Sequence, residues 1–341
     1  MIALDSLMRV RATTRLQAFS GFVVSGADAG SFLQGQLTND ARGLAVLRHQ
    51  RTGYCTPKGR LLAVMLQWRI ADDTFAHLLP ADLHPATLKR LRMYVLRSKA
   101  SFGPADAPLQ AQGIWGDTIE PSEPGQVVAL DGPDGPWLLV DSPCPVMGPR
   151  AWLVGRTDQL AAISGSVPDR PQWDPMVWAM GEILCGKAWV WPATVEAFVP
   201  QMINLELIDG VSFTKGCYPG QEVVARSQYL GKLKRRTFRL DFEGTDLPSL
   251  ALPETVAGAP PWRADSLAGL DVWCQSMATE PCGKVVAAAP RCDRQGQTMS
   301  GACLLVECTL DAWTAGGLHL GTMDGPALTA ADLPYAFPAA A

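Results

Sequence analysis

Between positions 198 and 226 the chain reads FVPQMINLELIDGVSFTKGCYPGQEVVAR, and its second half sets five chemically capable side chains close together: Lys215, Cys217, Gln221, Glu222 and Arg226. Gly216 and Gly220 flank Cys217-Tyr218-Pro219, so the backbone can turn tightly and offer main-chain N–H groups to a ligand. The segment therefore reads as loop more than strand. A thiol two residues from a lysine meets the condition for a lowered pKa and a reactive thiolate, while a free cysteine is equally a common core residue. Lys215 and Arg226 suit carboxylates, the planar guanidinium especially, and the same residues also serve in surface ion pairs. Gln221 and Glu222 offer the amide and acceptor that a hydrogen-bonding heterocycle requires, or they bond the turn in which they lie.

A second tier of candidates surrounds this segment. Asn204 precedes it in PQMINLE, and Gln36, Asn39 and Asp40 form GQLTND; each could line the same pocket or cap a local turn. Tyr54, Trp68, Tyr94 and Trp178 are aromatic faces for stacking on a ring, with core packing as their ordinary role. Arg97 and Lys99 in MYVLRSK follow an apolar helical face, where the helix dipole explains cations without function; Arg97 is kept as a weak pocket residue.

These residues need elements to position them. A β-like segment from Ala18 leads through Gly26 and Asp28, an N-cap signal, into a short helix around Phe32 and Leu33. LLAVMLQWRI (61–70), bounded by Gly59 and Asp72, has the pattern of a buried strand. A helix is predicted from Asp82 to about Arg97, with Leu88, Leu91 and Val95 on one face. Residues 103–150 read as short strands, with DGPDGP reversing the chain between VVAL and WLLV. A third helix starts at Asp174-Pro175 and runs through Met176, Val177, Met180 and Leu184. Pro and Gly accumulate from 244 to 261; beyond them VWCQSM, KVVAAA and ACLLVECTL are short β-runs that suit a small barrel, and the last dozen residues read as a poorly anchored tail. The expected organisation is an α+β body over 1–240, a linker region over 241–262 and a C-terminal β-barrel over 263–335.

Composition limits the function classes. With 341 residues and 48% hydrophobic content, the chain can build two or three packed units. Its net charge of -4 argues against coating nucleic acid through bulk positive potential, so any polyanion site must be local. The best such run in the sequence is Lys232, Lys234, Arg235, Arg236 and Arg239. No apolar stretch is long enough to span a membrane and no signal core begins the chain, so a cytoplasmic protein without membrane partners is expected. The 9 cysteines are scattered with no C-x-x-C pair, which suits reduced thiols and gives no metal-ligand spacing. No heptad is evident, and a monomer is expected.

K-G-C-Y-x-G-Q-E followed by an arginine resembles the signature of YgfZ-like proteins, relatives of the glycine-cleavage T-protein. The resemblance extends to FLQGQLTND (32–40), PKGRLL (57–62), MYVLRSK (93–99) and FVPQMINL (198–205), and so spans about the first 240 residues. It implies two ferredoxin-like lobes and a β-barrel around a central folate pocket, with tetrahydrofolate or a derivative as cofactor. It further implies a role in assembling or repairing iron–sulfur clusters on client proteins, with an indirect effect on tRNA modification. On that resemblance Cys217 is the reactive thiol, and Lys215, Gln221, Glu222, Arg226, Asn204, Gln36 and Asn39 are the folate-binding set. One position departs from the T-protein: its catalytic aspartate falls on Ala63 or Val64, and an aliphatic side chain cannot accept a proton. A folate-dependent aminomethyl or one-carbon transferase is therefore the second reading. The third is a non-catalytic RNA-associated module built on the run at 232–239.

Overall fold

The computed structural model describes residues 8–103, 107–119, 123–166, 171–229, 233–244, 265–277 and 279–338. Two five-stranded antiparallel sheets and a closed barrel divide the chain. In chain order the first lobes comprise β1 (Met8–Arg15), β2 (Phe19–Ser25), α1 (Ala29–Gln34), β3 (His49–Cys55), β4 (Leu61–Ala71), β5 (Thr74–Pro80), α2 (His84–Met93), β6 (Ser101–Phe102), β7 (Gln110–Ile119), β8 (Val127–Ala129), β9 (Trp137–Val140), β10 (Arg150–Gly155) and α3 (Thr157–Ser166). One sheet runs β3-β4-β5-β2-β6 and the other β1-β7-β10-β9-β8, with helices packed on them in the ferredoxin-like manner. The apolar run expected over 61–70 is β4, an interior strand of its sheet and buried over Ala63–Trp68. The DGPDGP reversal is the connection that pairs β8 with β9.

α4 (Pro175–Leu184) begins where the sequence predicts. The Asp174 carboxylate accepts the Met176 N–H at 2.8 Å, and Pro175 fills the first turn where no N–H is needed. Its apolar side chains are buried against both a lobe and the barrel, and the Cys292 N–H reaches the Met180 sulfur at 3.1 Å. α4 is thus the central beam between units. α5 (Gln221–Tyr229) follows the motif loop.

The barrel holds β11 (Arg235–Phe242), β12 (Asp271–Cys274), β13 (Gly283–Cys292), β14 (Thr298–Thr309), α6 (Leu310–Ala315), β15 (Leu318–Leu320) and β16 (Ala327–Ala331), closing in the order β11-β14-β13-β12-β15-β16. Its first strand starts at Arg235, ahead of the 240/241 boundary expected from composition. In RRTFRLDF, Phe238, Leu240 and Phe242 alternate into the barrel core, a two-residue period that composition does not register. Of the linker region 241–262, residues 245–262 lie outside the described residues.

Two other expectations are corrected. The helix predicted to Arg97 ends at Met93, and the chain turns away through Leu96 at φ +46°, so Val95 does not continue the helical face. The C-terminal tail is anchored through Phe337: the Tyr335 hydroxyl donates to the Gly186 carbonyl at 3.0 Å, and Phe337 packs on Phe238 with ring centroids 5.2 Å apart.

Candidate functional site

A cavity of about 490 Å³ opens where the two lobes, the connecting segments and the C-terminal tail meet. β3 contributes His49, Gln50 and Arg51; the turn after β9 contributes Asp141 and Ser142; the loop after α4 contributes Cys185 and Lys187. Asp209 and Tyr335 close the other side and Arg48 stands at the rim. The volume suits a drug-sized ligand.

A buried ionic lattice forms one wall. Arg51 Nη2 lies 2.5 Å from Glu182 Oε2, Arg150 Nη2 reaches Glu182 Oε1 at 2.8 Å and Asp141 Oδ2 at 3.1 Å, and Lys187 pairs with the same aspartate. The indole N–H of Trp189 donates to Glu182 at 2.7 Å and that of Trp152 to Asp141 at 3.0 Å. Arg51 lies 4.5 Å from the Trp189 ring centroid. Burial alone would raise the Asp141 pKa, but Arg150, Lys187 and Arg51 together hold it well below the usual carboxylate range. Three cations face two carboxylates, which leaves the wall suited to an acidic ligand.

His49 supplies an unsatisfied group. Its Nε2 lies 2.6 Å from the Val140 carbonyl and so carries the proton, while Nδ1 is buried with no partner. Burial lowers the His49 pKa to about 4, so the ring is neutral and Nδ1 is an acceptor.

The residues singled out in the sequence separate into two groups. Asn39 is structural cement beside the cavity: its Nδ2 donates to the Arg51 carbonyl at 2.8 Å and to the Asp209 carbonyl at 2.6 Å. Asn204, left-handed at φ +56°, donates to the Thr237 carbonyl at 2.7 Å and accepts from Arg236 at 3.2 Å, locking the lobe to the barrel. Lys215 is buried, its ammonium donating to the Gln34 carbonyl at 2.6 Å and to the Leu37 carbonyl, and burial lowers its pKa to about 8. Gln36 is half-buried next to that contact. Tyr54, Trp68 and Trp178 are core, and Tyr94 is exposed.

The second group is on the surface. Cys217 is exposed, and the other eight cysteines are buried. Glu222 and Arg226 are exposed on α5, with Gln221 half-buried at its start. The motif loop is held by Tyr218, buried near Cys55, and by Gly220 against Thr56 and Gly59. The cavity and the thiol are thus separate features on one scaffold. Ala63 and Val64 are fully buried opposite Tyr54 and Gly53, so neither position offers an acid or base.

Sequence reasoning missed His49, Arg51, Asp141, Glu182, Lys187 and Tyr335. One signal was available: Glu182 and Lys187 are the only charges between Pro175 and Val195, and a carboxylate in so apolar a run requires a buried partner.

No protein-family model matches the chain. A protein of Haemophilus influenzae named only as uncharacterized is 33% identical over 216 residues, 63% of this chain and 68% of that one. The tRNA-modifying protein YgfZ of Edwardsiella ictaluri is 31% identical over 257 residues, covering 73% of this chain and 76% of the relative. The chain belongs to the YgfZ family. Another member, the YgfZ of Colwellia psychrerythraea, is 30% identical over 245 residues, 66% of this chain and 70% of its own. Among solved structures, the glycine cleavage system aminomethyltransferase T of Bartonella henselae matches with a TM-score of 0.58 at 12% identity, over 96% of this chain and 87% of that one. That likeness shows a shared T-protein fold. No helix among the described residues is long and apolar enough to cross a membrane.

Proposed function

We propose that this protein binds a reduced folate in its central cavity and acts as an accessory factor for iron–sulfur clusters on client proteins, with tRNA modification as a downstream consequence. The observation that carries the folate reading is His49 Nδ1, a buried acceptor without a partner in the wall of a cavity of about 490 Å³. A pterin carries N–H donors that such an atom accepts, and Asp209 adds a carboxylate for the same ring. Arg48, at the rim, and the cationic excess of the wall suit the glutamate carboxylates of the folate tail. A bound reduced folate supplies a one-carbon carrier; the chain's own residues bind it, orient it and exclude water.

In this reading Asn39 acts by fixing Arg51 and Asp209, Lys215 by fixing the turn after α1, and Asn204 by fixing Tyr335, while Gln36 keeps its side-chain oxygen buried without a partner. Cys217, with Gln221, Glu222 and Arg226 beside it, faces outward to the client, whose cluster is cargo. The tRNA element rests on what the YgfZ relatives are named for. Cytoplasmic location and a monomeric state belong to the same proposal. The transferase reading lacks its acid at Ala63 and Val64.

Calorimetry with tetrahydrofolate under anaerobic conditions tests it. Saturable binding to the wild type and to Cys217→Ala is expected, with at least tenfold weaker binding in His49→Phe and Arg48→Ala. Absence of binding to the wild type would remove the folate reading.

A further inference from the structure

Several cations on this molecule are matched to acids, while Arg15, Arg42, Lys58, Arg226, Lys234 and Arg294 are exposed one at a time at scattered places along the chain. Arg48 lies 2.9 Å from Glu123, Arg156 3.4 Å from Asp158, and Lys284 2.6 Å from Asp271. The basic run of β11 is matched as well: Arg235 meets Glu307 at 2.5 Å, Arg239 meets Asp241 at 3.0 Å, and Arg236 pairs with Glu206. Of the same run, Lys234 is exposed and Lys232 lies outside the described residues.

α2 and the loop after it differ. From His84 to Gly103 there is no Asp or Glu, yet Lys89, Arg90, Arg92, Arg97 and Lys99 fall in this stretch of a chain whose net charge is -4. None of the five makes an ion pair among the described residues; Arg92 reaches the Gly103 carbonyl at 3.4 Å and lies 5.7 Å from the Phe102 ring centroid, and the Asp28 carboxylate meets the segment only at the Lys99 backbone N–H, at 2.7 Å. All but Arg90 are exposed. The helix dipole accounts for Arg90 and Arg92 in the last turn. It does not account for Arg97 and Lys99, which lie beyond that turn.

The same segment exposes apolar surface: Met93 is 65%, Tyr94 43% and Leu96 87% accessible. Leu96 is also held at φ +46°, a strained conformation that no burial of its side chain offsets. Arg90 lies 5.9 Å from the Tyr94 ring centroid. The patch also shares its support with the motif loop. Arg90 lies beside the Tyr54 hydroxyl, Tyr54 bridges to Leu37, and the Leu37 carbonyl receives Lys215, two residues before Cys217.

We propose that Lys89–Lys99 is a docking surface for RNA, its cations on phosphates and Tyr94 stacked on an unpaired base such as a tRNA loop presents. Unmatched cations interleaved with an exposed aromatic are the combination that single-stranded nucleic acid uses. An acidic protein would satisfy the charges but leave the Tyr94 face without a role. The inference goes beyond the folate reading and does not depend on it.

The test is anisotropy of a labelled, unmodified tRNA transcript with the full chain over a range of salt. For the wild type, log affinity is expected to fall with log salt at a slope of about -3, from roughly four exposed cations at ~0.7 each. Arg92→Glu with Lys99→Glu flattens the slope and weakens binding at least tenfold, and Tyr94→Ala weakens it about tenfold at unchanged slope. Wild-type affinity and slope in the charge-reversed variant would overturn the proposal. So would an unchanged Tyr94→Ala together with displacement of the RNA by poly-glutamate at equal charge, which would assign the surface to an acidic protein. Tetrahydrofolate binding by the same variants, at wild-type strength, keeps this result separate from the folate reading.

Discussion

Gly220 of the motif loop and Gly59 of the β3–β4 turn pass so closely that a Cβ on Gly220 would come 2.6 Å from the Gly59 Cα and 2.4 Å from the Thr56 carbonyl oxygen. Gly220 is also at φ +85°, where an L side chain is strained. Both obstacles are backbone and cannot swing aside. Gly220→Ala is expected to cost about 2 kcal/mol or more of stability, read by urea unfolding, and to change the reactivity of Cys217, whose loop this contact anchors. A variant as stable as the wild type would show that the loop is not held there.

The elements that positioned these contacts were legible to different degrees. β4 is a continuous apolar run and α4 carries its cap in Asp174-Pro175, so local chemistry sufficed. Beyond the signal at Glu182 and Lys187 the cavity wall was not legible, because their partners Arg51, Asp141 and Arg150 come from β3, the turn after β9 and β10, where each shows only an ordinary charge. Tyr335 was missed for a related reason: its hydroxyl is satisfied by Gly186, a residue 149 positions away. The motif singled out Cys217, which the fold exposes, but said nothing of its separation from the cavity.

Glu182 accepts from Arg51, Arg150 and Trp189 with its side chain 5% accessible. Removing it leaves two guanidinium groups facing only Asp141 in a dry interior. Glu182→Ala is expected to destabilise by about 3–5 kcal/mol, measured as a lower urea midpoint at unchanged slope. A loss under ~1 kcal/mol would mean that water enters the wall and screens the arginines.

His77 is fully buried and His49 half-buried with its Nδ1 shut off from solvent, and burial lowers their pKa values to about 3 and about 4. Below the ordinary histidine range the unfolded chain takes up protons that the folded chain refuses, so stability falls as pH drops from about 6.5 toward 4. Above pH 7 these groups contribute no pH dependence. His77→Phe, with the Gln67 amide beside it replaced by Leu, is expected to reduce the acid sensitivity between pH 6.5 and 4. A pH–stability profile parallel to the wild type over that window would rule out His77 as a source.

Cys217 is exposed and Cys55, Cys144, Cys185 and the remaining five cysteines are buried. Iodoacetamide at neutral pH should therefore label one thiol per folded chain rapidly, and mass spectrometry should place it at position 217. The second to react should be Cys144: its hydrogen bond from Cys185 outweighs burial and, with Arg150, lowers its pKa. Its access is limited by a relative exposure of 2%, so labelling should require local opening and proceed orders of magnitude more slowly. Cys217→Ser should abolish the fast phase and leave the slow one. Rapid labelling of two or more sites in the wild type would show that the interior thiols are open to solvent, and the thiol facing the client would then need to be identified afresh.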